Sequence, residues 1–163
     1  MMGKSRTKTT EGAIGNLELG DGWLEDFMPY QLYRVTNRLN MRLLSRLRAI
    51  GISASQWRVL SVLRSFGTLT ISRIVEHTLM EQPTVSRVID QLEQEKLATR
   101  RTSTEDSRMI EVVLTPKGVD AFEAILPAAQ RHQKVAMDGL TTKEIDTLRS
   151  LLRRIEHNIN EFD

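Results

Sequence analysis

Cysteine occurs nowhere in the chain of 163 residues. Its absence excludes disulfides, thiolate metal sites, cysteine nucleophiles and thiol-based redox switching. Long apolar runs are missing too: no segment reaches the length that crosses a bilayer, and the N-terminus lacks the apolar stretch of a secretory signal, so the expected compartment is cytoplasmic. Catalytic signatures are equally absent. There is no Gly-x-Ser-x-Gly, no phosphate-cradling glycine loop and no pair of carboxylates in a catalytic setting. The histidines His77, His132 and His157 lie far apart and none has metal-ligand spacing; Glu76 beside His77 is the only hint of one. Neither an enzyme, nor a cofactor, nor a metal site is therefore expected. Acid is missing from one long stretch: positions 34 to 67 carry seven arginines and no Asp or Glu.

What is present is enough for a folded, soluble chain. Apolar residues make up 40% of the sequence, which suffices to close one core, or one small domain with helical extensions. The net charge of +2 hides an uneven distribution, because 68 to 118 holds seven Lys and Arg against eight Asp and Glu, and 119 to 163 six against eight. The basic excess thus sits ahead of the segment that organises the chain, Met80 to Gly118.

The first half of that segment reads as a short helix with two different faces. Val85, Val88, Ile89 and Leu92 recur at three- and four-residue steps, leaving Gln82, Thr84, Ser86, Arg87 and Gln91 outward, and Pro83 fits the first turn. Beyond Leu92 the period becomes alternating, with strands expected over Leu97 to Thr102 and Met109 to Leu114 around a polar tip, Ser103 to Ser107. A helix followed by such a hairpin outlines a winged helix-turn-helix. A major groove admits an α-helix, and short polar side chains with one Arg on its leading turns reach base edges and phosphates.

The segment resembles the winged-helix core of the MarR family of transcription regulators. The resemblance rests on Thr84, Val85, Ser86 and Arg87 opening the helix, Leu92 and Leu97 closing it, Arg100 in the first strand, then Asp106-x-Arg108 and Leu114-Thr115 leading to Gly118. It implies a dimeric, ligand-responsive DNA-binding protein whose helix enters the major groove while Arg108 reaches toward the minor groove, steadied by Asp106. Gln82, Pro83, Thr84, Ser86, Arg87, Arg100, Asp106 and Arg108 form the expected DNA-contacting set. Lys96 departs from the family, where many members have Gly before the Leu. A left-handed residue there costs about 1 kcal/mol, or the helix ends differently.

The rest of the chain supplies flanking helices. Residues 1–22 read as a mobile tail, either a solvated terminus or an arm whose Lys4, Arg6 and Lys8 touch phosphates. Trp23, Leu24 and Phe27 precede Pro29, and from there Leu32, Val35, Leu39, Leu43, Leu47 and Ile50 mark a long amphipathic helix capped at Gly51. Arg34, Arg38, Arg42 and Arg46 repeat every fourth residue along it, as a solvated face paired with acids of a neighbouring helix or as an anion site. Ser53 with Gln56 has capping-box spacing for a second helix ending at Gly67, and Thr70 caps a third. Thr115 and Pro116 restart helix, which Pro127 should bend or interrupt. Thr141 with Glu144 caps a last helix whose Ile145, Leu148, Leu152, Ile155, Ile159 and Phe162 keep the spacing of a packing seam. These chain-end helices exceed what a winged core needs. With Trp23 and Phe27 they are assigned to a two-fold interface.

The expected fold is mainly α with a small β-hairpin wing: a winged helix-turn-helix DNA-binding domain over 51–118 and a helical dimerisation region over 23–50 and 119–163. Tyr30, Tyr33 and Trp57 are either ordinary core aromatics or, as the resemblance implies, part of a crevice for small, often phenolic, effectors, with Arg34, Arg38 and Arg58 beside it for an aromatic carboxylate. The expected function is that of a homodimeric regulator, most often a repressor, on a near-palindromic double-stranded operator, released by a small effector. A winged-helix protein-interaction module without an effector is the alternative.

Overall fold

The computed structural model describes residues 21–104 and 106–161. Lys4, Arg6, Lys8 and Phe162 lie outside the described residues, as does nearly all of the expected tail. The chain divides into two compact units, Met1–Met41 and Arg42–Asp163.

In the first unit a single turn, α1 (Trp23–Asp26), precedes the start of α2 (Met28–Ala49). Helix α2 begins one residue ahead of Pro29, which therefore occupies the first turn, where a missing N–H removes no intrahelical bond. The Trp23 and Phe27 rings lie 5.7 Å apart.

The second unit begins with the last turns of α2. That helix closes as expected at Gly51, whose φ of 76° lets its N–H reach the Arg48 carbonyl at 3.1 Å and that of Ile52 reach Leu47 at 3.0 Å. Helix α3 (Ala54–Phe66) opens on the expected capping box. Gln56 N–H donates to Ser53 Oγ at 3.1 Å, and Ser53 N–H donates to Gln56 Oε1 at 2.8 Å. Thr70 caps α4 (Ile71–Thr78), and α5 (Gln82–Gln94) follows after a short link. Strands β2 (Ala98–Thr102) and β3 (Ile110–Leu114) make the hairpin, in register Ala98 with Leu114 and Arg100 with Val112.

Two features refine the sequence expectation. The hairpin is joined by a third strand, β1 (Leu69–Thr70), which pairs with β3 to give an antiparallel sheet of order β1-β3-β2. Two residues are too few to show alternation, so only pairing reveals that strand. Helix α6 (Pro116–Ala136) also continues through Pro127, so of the two outcomes expected there interruption does not occur. Losing one ladder bond in a 21-residue helix does not outweigh the burial of Ile125 and Ala128 on either side of it.

Val59, Leu60 and Leu63 of α3, Ile74 of α4, Val85, Val88, Ile89 and Leu92 of α5, and Val112 of β3 form one cluster, closed by Leu47, Leu97 and Ile125. Apolar faces of three short helices and a small sheet thus meet on a common core, and that core fixes which face of α5 is left outside. Helix α7 (Thr142–Asn160) differs, since among the described residues none of its side chains is buried.

Candidate nucleic-acid interface

The outward face of α5 is defined by what its other face buries. Val85, Ile89 and Leu92 are sealed in the core, and the helical period then leaves Gln82, Pro83, Arg87, Asp90, Gln91 and Gln94 exposed, with Thr84 and Ser86 half-buried at the flanks. Of the expected residues on α5, Gln82, Pro83 and Arg87 are therefore the most accessible. Exposed Gln94 was not singled out from the sequence, although it lies one turn beyond the outward Gln91.

The far end of α5 is anchored tightly. Its C-terminal bonds form a Schellman pair, Leu97 N–H to the Leu92 carbonyl at 2.7 Å and Lys96 N–H to Glu93 at 2.9 Å, with Lys96 in the left-handed region at φ 59°. Of the two outcomes open for Lys96, the structure takes the left-handed one. The Lys96 carbonyl accepts from Thr115 Oγ1 at 2.6 Å, Lys117 Nζ donates to the Glu95 carbonyl at 2.9 Å, and Gln56 Nε2 donates to Glu95 Oε1 at 3.0 Å. Gly118 closes the same corner: a Cβ there would fall 2.8 Å from the Leu97 carbonyl carbon and nearer still to its oxygen.

At the wing tip the Arg108 side chain is 92% exposed. Asp106 Oδ1 accepts the Arg108 N–H at 2.9 Å and lies 3.6 Å from its Nε, so the carboxylate both shapes the turn and faces the guanidinium. Ser103 N–H donates to the Met109 carbonyl at 2.8 Å across the base of the tip, and Arg101 sits 3.5 Å from Glu111 across the strand pair.

Arg100 has a different setting. Its Nη2 lies 2.8 Å from Asp90 Oδ1, its Nη1 pairs with Glu93 Oε2, and its own N–H donates to Glu93 Oε1 at 2.7 Å. Partial burial works against the charged guanidinium, but hydrogen bonding and Coulombic attraction from Asp90 and Glu93 outweigh it and raise the pKa of Arg100. Asp90 and Glu93 were not singled out from the sequence; an ion pair that crosses a helix end into a strand leaves no periodic trace.

The expected effector residues divide between the units. Tyr30 and Tyr33 stack with centroids 6.4 Å apart, and the Arg34 guanidinium lies 5.6 Å from the Tyr30 ring centre, all on α2 in the first unit with exposed Arg38. In the second unit Trp57 stacks nearly parallel on Phe122 at 4.9 Å, and Arg58 Nη1 donates to the Thr78 carbonyl at 3.4 Å. The sequence places Phe122 on an apolar helix face but does not reveal its stacking on Trp57, since such a position looks the same whether or not a Trp covers it. Among the described residues no group of three or more His, Asp or Glu could hold a metal ion, and no helix is long and apolar enough to cross a membrane.

Comparison with known proteins places this arrangement. The sequence profile of the MarR family matches residues 50–109. The chain is 27% identical over 135 residues to the HTH-type transcriptional repressor IacR of Pseudomonas putida, covering 83% of this chain and 81% of that protein. A crystal structure of a MarR family transcriptional regulator from Silicibacter pomeroyi DSS matches with a TM-score of 0.76 and 31% identity, over 85% of this chain and 93% of that one. BpsR of Bordetella bronchiseptica, whose structure is described as a mechanism for regulation of DNA binding by 6-hydroxynicotinic acid, matches with a TM-score of 0.69 and 28% identity, over 79% and 92% of the two chains.

Proposed function

The chain belongs to the MarR family of transcription regulators, DNA-binding proteins rather than enzymes, and from that premise we propose that it is a repressor that binds a near-palindromic operator as a homodimer and is released by a small aromatic acid. The observation that carries the operator reading is the single polar face of α5. Gln82, Pro83, Arg87 and Gln91 stand outside while the opposite stripe is sealed, and the wing offers Arg108 as a second probe. In this reading α5 lies in a major groove, with Arg87 able to grip a guanine edge and Gln91 an adenine edge, and Arg108 enters the adjacent minor groove. Cytoplasmic residence fits this role. The polarity of the face favours DNA over the rival role of a protein-docking module, which calls for an exposed apolar patch there.

The homodimer rests on α7, where Leu148, Leu152 and Ile159 are 40%, 41% and 60% exposed along the seam of Ile145 and Ile155. Apolar side chains at that spacing need a facing helix, and Trp23 and Phe27 add apolar rings from the other chain end. The effector reading draws on the Tyr30, Tyr33, Arg34 and Arg38 group, on Trp57 with Arg58, and on the aromatic acid named for BpsR.

Selection of bound fragments from random duplexes by the full chain tests the operator. The expected product is a two-fold pattern with half-sites about 34 Å apart; failure to enrich any duplex overturns the reading. With that duplex in hand, 6-hydroxynicotinate and simple phenolic acids should raise the melting temperature of the free protein and lower its operator affinity. No change in either across the series defeats the effector part alone.

A further inference from the structure

Arg100 occupies an unusual place for a cation in a DNA-binding region, because its guanidinium is turned onto the protein. The recognition helix and its ends, residues 81–96, hold Glu81, Asp90, Glu93 and Glu95 against Arg87 and Lys96. A segment with more acids than bases is poorly suited to approach a phosphate backbone, whose charge repels carboxylates as strongly as it attracts arginine. Asp90 and Glu93 lie three residues apart and share one face of α5. Arg100 comes from β2, on the far side of the helix end, and meets both: 2.8 Å from Asp90 Oδ1 and paired with Glu93 Oε2. The Glu93 carboxylate also accepts the Arg100 N–H at 2.7 Å, so one side chain is bonded to both the backbone and the guanidinium of the strand. The Arg100 and Glu93 side chains are each 29% exposed and the Asp90 side chain 57%, which shields the pair with Glu93 from solvent more than an ordinary surface bridge.

We propose that Arg100 is a positioning residue that does not touch DNA: it fastens the first wing strand to the recognition helix and neutralises Asp90 and Glu93, so that the second half of that helix can approach phosphates without repulsion. The charge-masking half rests on the operator reading above; the fastening half does not. Helix and wing then move as one body, and the spacing between Arg87 and Arg108 is set by this clamp as well as by the core. Lysine cannot reproduce the two-pronged contact but keeps the charge.

The test uses the full chain, the duplex that it selects from a random pool, and the variants R100M, R100K and D90N/E93Q/R100M. R100M should lose about tenfold in affinity, while R100K stays within about threefold of wild type. The triple variant, which removes the cation and both carboxylates together, should recover to within about threefold of wild type. If the triple variant binds as weakly as R100M, and both lose about one phosphate contact from the salt slope, Arg100 grips the backbone directly and the proposal falls. R100M binding like wild type overturns it as well. Should R100M fail to fold, R100K and the triple variant still decide, since neither leaves two carboxylates without a compensating cation. If wild type enriches no duplex, it is the operator reading that has failed. Amide exchange over 98–102 in the free protein then judges the clamp alone: faster exchange in R100M or R100K supports it, and rates equal to wild type in both overturn it.

Discussion

Lys96 holds a φ of 59° at the junction of α5 and β2, where its side chain meets the steric cost that a glycine escapes. Gly51 occupies the matching place at the end of α2, with the same pair of capping bonds. Lys96→Gly should therefore stabilise the second unit by about 1 kcal/mol, seen as a higher urea midpoint at unchanged slope. An unchanged or lower midpoint would mean that the lysine stem contributes at least as much as its backbone strain costs. Gly118 is the opposite case. Its φ is ordinary, but Gly118→Ala would drive a methyl group into the Leu97 carbonyl and should cost about 1–3 kcal/mol, lowering the same midpoint. At the wing, Arg108 is too exposed to matter for folding, so Arg108→Ala should leave the melting temperature unchanged while reducing the salt slope of operator binding by about one. A lowered melting temperature with an intact slope would place Arg108 in the fold and not on the DNA.

At the scale of elements, helix starts were the most legible part of the chain because their chemistry is local. Ser53 with Gln56, Thr70, Thr115, and Thr141 with Glu144 all cap helices where their spacing put them. The buried stripe of α5 was equally plain, since Val85, Val88, Ile89 and Leu92 admit one period. Strand β1 was not legible, and neither was the clamp of Asp90, Glu93 and Arg100, because both depend on segments brought together by the tertiary fold. Pro127 left two outcomes open, a bend or a break, and the break does not occur: its local penalty is real, but packing on both sides of it decides whether the helix continues. The cap of α7 yields a prediction with a sign. Hydrogen bonds from the Thr141 backbone and hydroxyl hold the Glu144 carboxyl below its ordinary range. Its stabilising effect is then fully present above the ordinary carboxyl pKa and disappears as pH falls through the lowered one. Thr141→Ala should cost about 1 kcal/mol, and Glu144→Gln should melt lower than wild type at neutral pH but level with it in acid. A gap between Glu144→Gln and wild type that persists in acid would rule out charge as its origin.

For the whole molecule, α7 poses the question that the winged core cannot answer. Leu148, Leu151 and Leu152 at 40–50% exposure, with Ile159 at 60%, amount to an apolar seam that a lone chain leaves in water. Each fully buried Leu or Ile stabilises by about 1.5–3 kcal/mol, so a seam of this length can hold two chains together without help from the DNA-binding region. If it does, operator affinity is largely a gain from linkage: once one α5 is seated, the second meets its half-site at high effective concentration. Leu152→Glu with Ile155→Glu places like charges on the seam and should give a monomer by sedimentation with an intact winged core by circular dichroism. Its affinity for the full palindrome should then fall to the value that it shows for an isolated half-site, while the half-site value itself changes by less than about threefold. A double variant that stays dimeric would move the interface away from α7. One that is monomeric yet binds the full palindrome as tightly as wild type would separate DNA recognition from two-fold symmetry altogether.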